Sequence, residues 1–220
     1  MSDKRDYKKE DKQLYQPKRT PALVDVPTMT FIAVRGTGDP NEADGAYSRA
    51  LQTLYTLSYT IKMSKMGGDT PAGYFEYVVP PLEGLWWSAN DEPFQVGPVK
   101  DKSNFAWLSM IRQPEFVDQS VFDWACAEAR RKKPAAMQAE AELCRFTEGR
   151  CVQIMHHGPY DDEPASVALI DGYMAENGLQ DAIGEPSVEG ILRQHHEIYL
   201  GDPRRTAPDK LRTVLRHPIR

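Results

Sequence analysis

The chain nearly repeats itself roughly 120 residues apart, and such a duplication confines the fold to a pseudo-symmetric body with a seam between two half-units. Phe31-Ile32-Ala33-Val34-Arg35-Gly36-Thr37-Gly38-Asp39-Pro40 precedes one helical run, and Cys151-Val152-Gln153-Ile154-Met155-His156-His157-Gly158-Pro159-Tyr160 precedes another. Each half also places a glutamate where a strand would carry an apolar residue: Glu76 in Tyr74-Phe75-Glu76-Tyr77-Val78-Val79 and Glu197 in His195-His196-Glu197-Ile198-Tyr199-Leu200. Side chains alternate along a strand, so Tyr74, Glu76 and Val78 share one face, and His195, Glu197 and Tyr199 share the matching face of the second unit. A solvent-facing position explains Glu76 most simply. Glu197 sits among histidines and a tyrosine, and if buried its ionised form needs a partner. An acid in an aromatic pocket is also a natural place for a raised pKa and for general acid or base work.

Periodicity predicts the elements. Residues 29–35 read as a strand, broken by Gly36, Gly38 and Pro40. A helix over 43–65 follows, with Ala50, Leu51, Leu54, Tyr55, Leu57, Ser58 and Ile61 at three- and four-residue spacing. Strands are expected at 74–79, closed by Pro80-Pro81, and at 82–88 and 105–112, with a polar loop over 90–102 between the last two. A helix over 119–133 opens at Asp118 and stops at Pro134; strands over 143–146 and 151–155 flank a turn. Residues 164–177 read as a helix ended by Gly178, 190–200 as a strand, and 206–215 as a short helix or final strand. Short turns and hairpin-like pairs favour an antiparallel sheet with helices on one face, an α+β fold, over a doubly wound parallel sheet. A flexible polar arm over 1–20 is expected ahead of a single domain over 21–220, made of half-units at about 21–115 and 140–220.

An apolar fraction of 40%, a charged fraction of 27% and a net charge of -5 describe a globular protein and argue against nucleic acid as the main partner. The basic residues of the first and last twenty positions lack interleaved stacking aromatics and read as solvated. No apolar run of about 18 residues occurs and the first residues lack the apolar stretch of a secretion signal, so no membrane partner and a cytoplasmic location are expected. Cys126, Cys144 and Cys151 show no paired spacing and read as buried free thiols. His156-His157 and His195-His196 point oppositely on a strand and no Cys or carboxylate completes a ligand set nearby, so no metal is expected. Gly36-Thr37-Gly38 lacks the third glycine and acid of a dinucleotide loop, and no cofactor is expected.

Aromatic residues form the second constellation. Tyr55 and Tyr59 lie on one helix face; Phe105 and Trp107 share a strand face; of the adjacent Trp86 and Trp87, a regular strand points one inward. With Tyr74 close by, three tryptophans between positions 86 and 107 exceed what a core needs and suit a cage for a planar or cationic ligand.

The strings Glu197-Ile198-Tyr199-Leu200-Gly201-Asp202-Pro203-Arg204-Arg205-Thr206-Ala207-Pro208-Asp209-Lys210-Leu211, Gly73-Tyr74-Phe75-Glu76-Tyr77 and Phe31-Ile32-Ala33-Val34-Arg35-Gly36 resemble the GyrI-like small-molecule-binding family, over about residues 14–219. Within it the chain looks most like the stand-alone subgroup that includes cyclopropanoid cyclopropyl hydrolases. The resemblance implies two β-α-β-β modules about a pseudo-twofold axis, a groove between them and a strand glutamate in that groove, best matched by Glu197. For the hydrolase subgroup it implies an aromatic cage, mapped loosely onto Tyr55, Tyr74, Trp86, Trp87, Phe105, Trp107 and Tyr199. The expected function is therefore capture of planar aromatic or cationic xenobiotics and hydrolysis of a strained cyclopropane, with Glu197 activating water and Tyr199 donating to the substrate carbonyl. A non-catalytic sequestering or ligand-sensing module is the competing class, and an interaction protein using its basic tail is a third. The oligomeric state is not legible.

Overall fold

The computed structural model describes residues 4–90, 94–99 and 101–220; residues 1–3, 91–93 and 100, which belong to the expected arm and the expected 90–102 loop, lie outside the described residues. In chain order the elements are α1 (Tyr7–Glu10), α2 (Lys12–Tyr15), β1 (Ala22–Val26), β2 (Met29–Thr37), α3 (Ala46–Lys62), β3 (Leu82–Ser88), β4 (Phe105–Arg112), α4 (Gln119–Lys132), β5 (Glu142–Phe146), β6 (Gly149–His157), α5 (Glu163–Glu176), β7 (His195–Tyr199) and β8 (Arg212–Pro218), with single 3-10 turns between some of them. The fold is α+β: one curled, antiparallel sheet in the order β1-β6-β8-β7-β3-β4-β2-β5 with helices on one side.

The duplication is visible in this order. β2-α3-β3-β4 and β6-α5-β7-β8 are the two β-α-β-β units, and their inner strands β3 and β7 pair at the centre, Gly84 opposite Glu197 and Trp86 opposite His195. That register makes Gly84, not Glu76, the first-half counterpart of Glu197. The expected strand over 74–79 does not form: among the described residues its sheet-like contact is an isolated bridge from Tyr77 to Arg5. Pro71 before it and Pro80-Pro81 after it lack the N–H groups a ladder requires. Glu76 instead forms a surface ion pair with Lys65, which holds its carboxyl below the usual range.

On the helical side the sheet presents Ile32 and Val34 of β2, Trp86 of β3, Trp107 and Ile111 of β4, and Val152 and Ile154 of β6. α3 covers the first unit with Ala50, Leu54, Leu57 and Ile61, spaced to lie on one stripe. α4 joins it, its N-cap Asp118 accepting from the Val121 N–H at 3.0 Å, and buries Phe122, Ala125, Cys126 and Ala129. α5 lays Ile170 and Met174 over the second unit. Gly36 is required by packing: a Cβ there would lie 2.3 Å from the Trp107 ring.

The opposite face holds the larger surprise. Residues 4–20 do not form a solvated arm; Tyr7, Leu14 and Tyr15 are fully buried against Phe31, Met110, Ile198 and Val214. A chain of buried charges ties the arm to the sheet. Arg216 donates to the Leu14 carbonyl at 2.9 Å, to Glu148 at 2.9 Å and to Gln153 at 3.1 Å. His196 sits between Glu148 at 3.0 Å and Glu83 at 3.1 Å, Tyr15 donates to Glu83 at 3.3 Å, and Arg112 reaches Asp11 at 2.7 Å. The segment expected as helix or strand over 206–215 resolves into β8, which carries Arg216 into this network.

Candidate active site

On the helical side of the central strand pair, β7 projects His195, Glu197 and Tyr199 in a row, as strand alternation dictates. α5 begins with Glu163, whose carboxyl enters the same space from the end of the helix. Glu163, His195 and Glu197 are 1%, 2% and 9% exposed, and each offers one oxygen or nitrogen atom within 4.8 Å of the others. Among the described residues no arginine or lysine forms an ion pair with either carboxylate. His195 Nε2 lies 3.4 Å from Glu197 Oε1, while Glu163 Oε1 has no hydrogen-bond partner among the described residues.

Electrostatics follow from that arrangement. Burial, then the facing Glu197, pushes the Glu163 carboxyl well above the ordinary range, and Lys102, itself 3.5 Å from Asp161, opposes the shift only in part. The protonated form of Glu163 is therefore favoured, since two unpaired buried carboxylates repel. The trio has donor types that a divalent cation also accepts, but one proton satisfies the same need. Spacing does not point to this set, because Glu163 stands at the start of α5, near His156-His157 in sequence and distant from the His195 it joins.

Rings enclose the acids. The Trp86 indole N–H donates to the Tyr199 hydroxyl at 2.8 Å, so the single Tyr199 proton is directed to the other side, where Glu197 and Tyr47 are its hydrogen-bonding neighbours. Tyr47 of α3 lies against Trp86 and Trp107 with centroids 5.3 and 5.1 Å away; Tyr160 meets Tyr199 edge-on at 5.6 Å; Phe94 bridges Phe105 at 5.0 Å and His195 at 5.8 Å. Burial, reinforced by Glu197, raises the hydroxyls of Tyr47, Tyr160 and Tyr199 far above the usual phenol range, so all three are neutral donors. Gly84 is again a packing requirement: a Cβ would stand 2.8 Å from the Trp86 indole nitrogen and 3.4 Å from the Tyr199 hydroxyl.

The sequence-predicted residues divide accordingly. Glu197, Tyr199, Trp86, Phe105 and Trp107 come together. Tyr55 and Tyr59 stack on one another at 6.5 Å and are 38% and 49% exposed; Tyr55 feels Asp202 and Arg204 from the loop after β7 and marks the rim. Tyr74 packs with Tyr77 and Phe116 and donates to the Lys62 carbonyl, away from Glu197. Trp87 faces the other side of the sheet beneath Arg35. Alternation puts His195 on the Glu197 face, without a role; Glu163, Tyr47, Tyr160 and Phe94 were missed, each in a turn or at a helix start where spacing carries no signal. Recesses of about 480 Å³ and 200 Å³ lie elsewhere, one between the N-terminal segment and Phe75, the other around Arg35 and Trp87, and neither is lined by Glu197.

No helix is long and apolar enough to cross a membrane among the described residues. No match is found among curated proteins. Among solved structures, an uncharacterized conserved protein from Listeria innocua is 45% identical with a TM-score of 0.87, over 99% of this chain and 100% of that one. Two structures of a hydrolase from the same organism are 44% identical over the same shares, with TM-scores of 0.86 and 0.84. The GyrI-like small molecule binding domain matches residues 19–220, nearly the whole chain. The chain belongs to the GyrI-like small-molecule-binding family.

Proposed function

We propose that this protein is a detoxifying hydrolase that takes a planar, apolar or cationic small molecule into the seam between its half-units and opens the cyclopropane of cyclopropanoid DNA-alkylating compounds. The observation that carries this is the unpaired, buried Glu163–Glu197 couple inside a ring-lined seam. Membership of a small-molecule-binding family and 44% identity to proteins described as hydrolases support it.

In such a substrate a three-membered ring is fused to a dienone. Glu163 shares its proton with Glu197, and the remaining carboxyl oxygens of the pair grip the two hydrogens of a water. The water oxygen attacks the ring methylene; the carbon–carbon bond breaks, and its electron pair moves through the dienone to the carbonyl oxygen, leaving a phenolate. Glu197 takes the water proton, and the Tyr199 hydroxyl donates to the oxygen that gains charge. The product is a hydroxymethyl phenol once that oxygen is protonated. Trp86, Tyr47 and Phe105 stack on the flat ring system and orient it. Because Tyr47, Tyr160 and Phe94 cover the acids, entry requires these side chains to swing aside.

Turnover of a cyclopropanoid with protein held below the substrate concentration tests the proposal. Product in excess of protein supports it. Uptake of one equivalent without ring opening would leave a sequestering module in its place.

A further inference from the structure

Beyond Glu197 itself lies a chain of two histidines that the mechanism above does not use. His217 of β8 stands beside His195 on the same face, His217 Nε2 2.8 Å from His195 Nδ1, and His195 Nε2 faces Glu197 Oε1 at 3.4 Å. All three are nine-tenths buried or more, and the His195 Nε2 nitrogen has no other partner among the described residues. From the geometry we infer, resting on the hydrolase reading, that His195, oriented by His217, is a positioning residue that selects Glu197 as the ionised member of the carboxyl couple.

The tautomers follow from donor counting. Burial and the adjacent His195 hold the His217 imidazole down to about 3, so it is neutral. A neutral His217 with its proton on Nε2 donates to His195 Nδ1; this leaves the His195 proton on Nε2, aimed at Glu197 Oε1. Glu197 thus receives an N–H that stabilises its charge, whereas Glu163 receives none and takes the shared proton. The opposite tautomers would point a bare His195 lone pair at a carboxylate. The 3.4 Å separation is long for a hydrogen bond and of the kind that shortens once a water is gripped. The other titratable or charged groups that bear on this site are Glu163 from α5, Tyr160 beside it, Tyr47 from α3, Tyr199 on β7 and Lys102 ahead of β4; Glu148 acts on His217 from beyond. Lys102, the cation among them, pairs with Asp161 at 3.5 Å rather than with Glu197.

The test compares His195→Leu with His195→Gln, whose amide N–H replaces the imidazole donor. For kcat/KM on a cyclopropanoid, the acid limb of the pH profile should move up by about one unit in His195→Leu, which is about a tenfold loss at pH values on that limb and little loss on the plateau, and stay near the wild-type position in His195→Gln. Equal losses in both variants with an unmoved limb would reduce His195 to packing and overturn the inference. If the wild-type protein turns over no cyclopropanoid, the hydrolase reading fails, and the ¹³C resonance of the Glu197 carboxyl decides the positioning role separately. Its titration midpoint must rise in His195→Leu and hold in His195→Gln; a midpoint indifferent to both refutes it. Should His195→Leu not fold, His217→Leu and His217→Gln replace the pair, with a smaller shift in the same sense.

Discussion

The two faces of the central strand pair bury acids in opposite ways. Behind the sheet, Glu83 and Glu148 meet His196 and Arg216, and every charge has an opposite neighbour within 3.1 Å. In front, one residue further along the same strand, Glu197 faces Glu163 with no ion-pairing arginine or lysine among the described residues and the His195 imidazole alongside. Buried ion networks in which each charge has an opposite neighbour stabilise one arrangement of a fold; an acid left without a counter-charge is destabilising, and persists where chemistry needs it. The comparison assigns the rear network to architecture, pinning residues 4–20 to the sheet, and the front couple to catalysis.

The largest expected effect breaks the rear face. Glu148→Gln or Arg216→Met leaves a buried charge unpaired and should cost about 3–5 kcal/mol in denaturant unfolding, while molecules that remain folded still bind the ligand. A loss below ~1 kcal/mol would mean that the network is solvated and the contrast false. Glu197→Gln should do the reverse. It removes a buried charge that has no counter-ion, so thermal stability holds or rises, while turnover falls about 10²- to 10⁴-fold.

Acidity dependence sharpens the contrast further. The carboxylates around His196 lift its imidazole to about 9 against burial, so its contribution to stability is complete below the ordinary imidazole value of 6.5 and is lost as pH rises through about 9. His196 and Arg216 hold Glu148 down to about 2, a contribution present above 4.5 and lost as pH falls towards 2. Glu163, shifted upward, adds to the alkaline loss, since its neutral form fits the site and its ionised form does not. His217, held down to about 3, adds a contribution that is complete only above 6.5 and is lost as pH falls, so unfolding free energy should peak near pH 6.5 and decline above it, and Glu163→Gln should flatten that decline. A free energy that climbs steadily from pH 6 to 9 would contradict both assignments.

A moderate effect is expected from Gly84→Ala, whose methyl displaces the Trp86 indole from Tyr199: ligand affinity drops roughly tenfold, about 1.4 kcal/mol by titration, with little change in the rear network. The smallest comes from Tyr74→Leu and Trp87→Leu, which point away from the seam and should leave affinity for a planar ligand unchanged.

Much of the architecture was legible because it rests on period. The spacing of Ala50, Leu54, Leu57 and Ile61 gave α3, alternation from Phe105 to Ile111 gave β4, and the repeat of Phe31–Gly36 at Cys151–His156 gave the two units. The 74–79 segment misled, since its aromatic and β-branched residues suit a strand while the bracketing prolines deny it a ladder. The arm was misread because charge was counted along the sequence; three buried residues, Tyr7, Leu14 and Tyr15, with the ion network suffice to anchor it. At the site, Glu197 and Tyr199 announced themselves as polar residues on a strand. Glu163 did not, because an acid at a helix start is the ordinary capping pattern and only the fold reveals that it turns inward.

The central claim is that the Glu163–Glu197 couple carries one proton near neutrality, with the charge on Glu197. Titrating the side-chain carboxyl carbons of ¹³C-labelled glutamate, with Glu163→Gln and Glu197→Gln for assignment, tests it directly. One seam glutamate should stay protonated at pH 7 and prove to be Glu163, while Glu197 is ionised. Two carboxylates that both ionise below pH 5 would contradict the account.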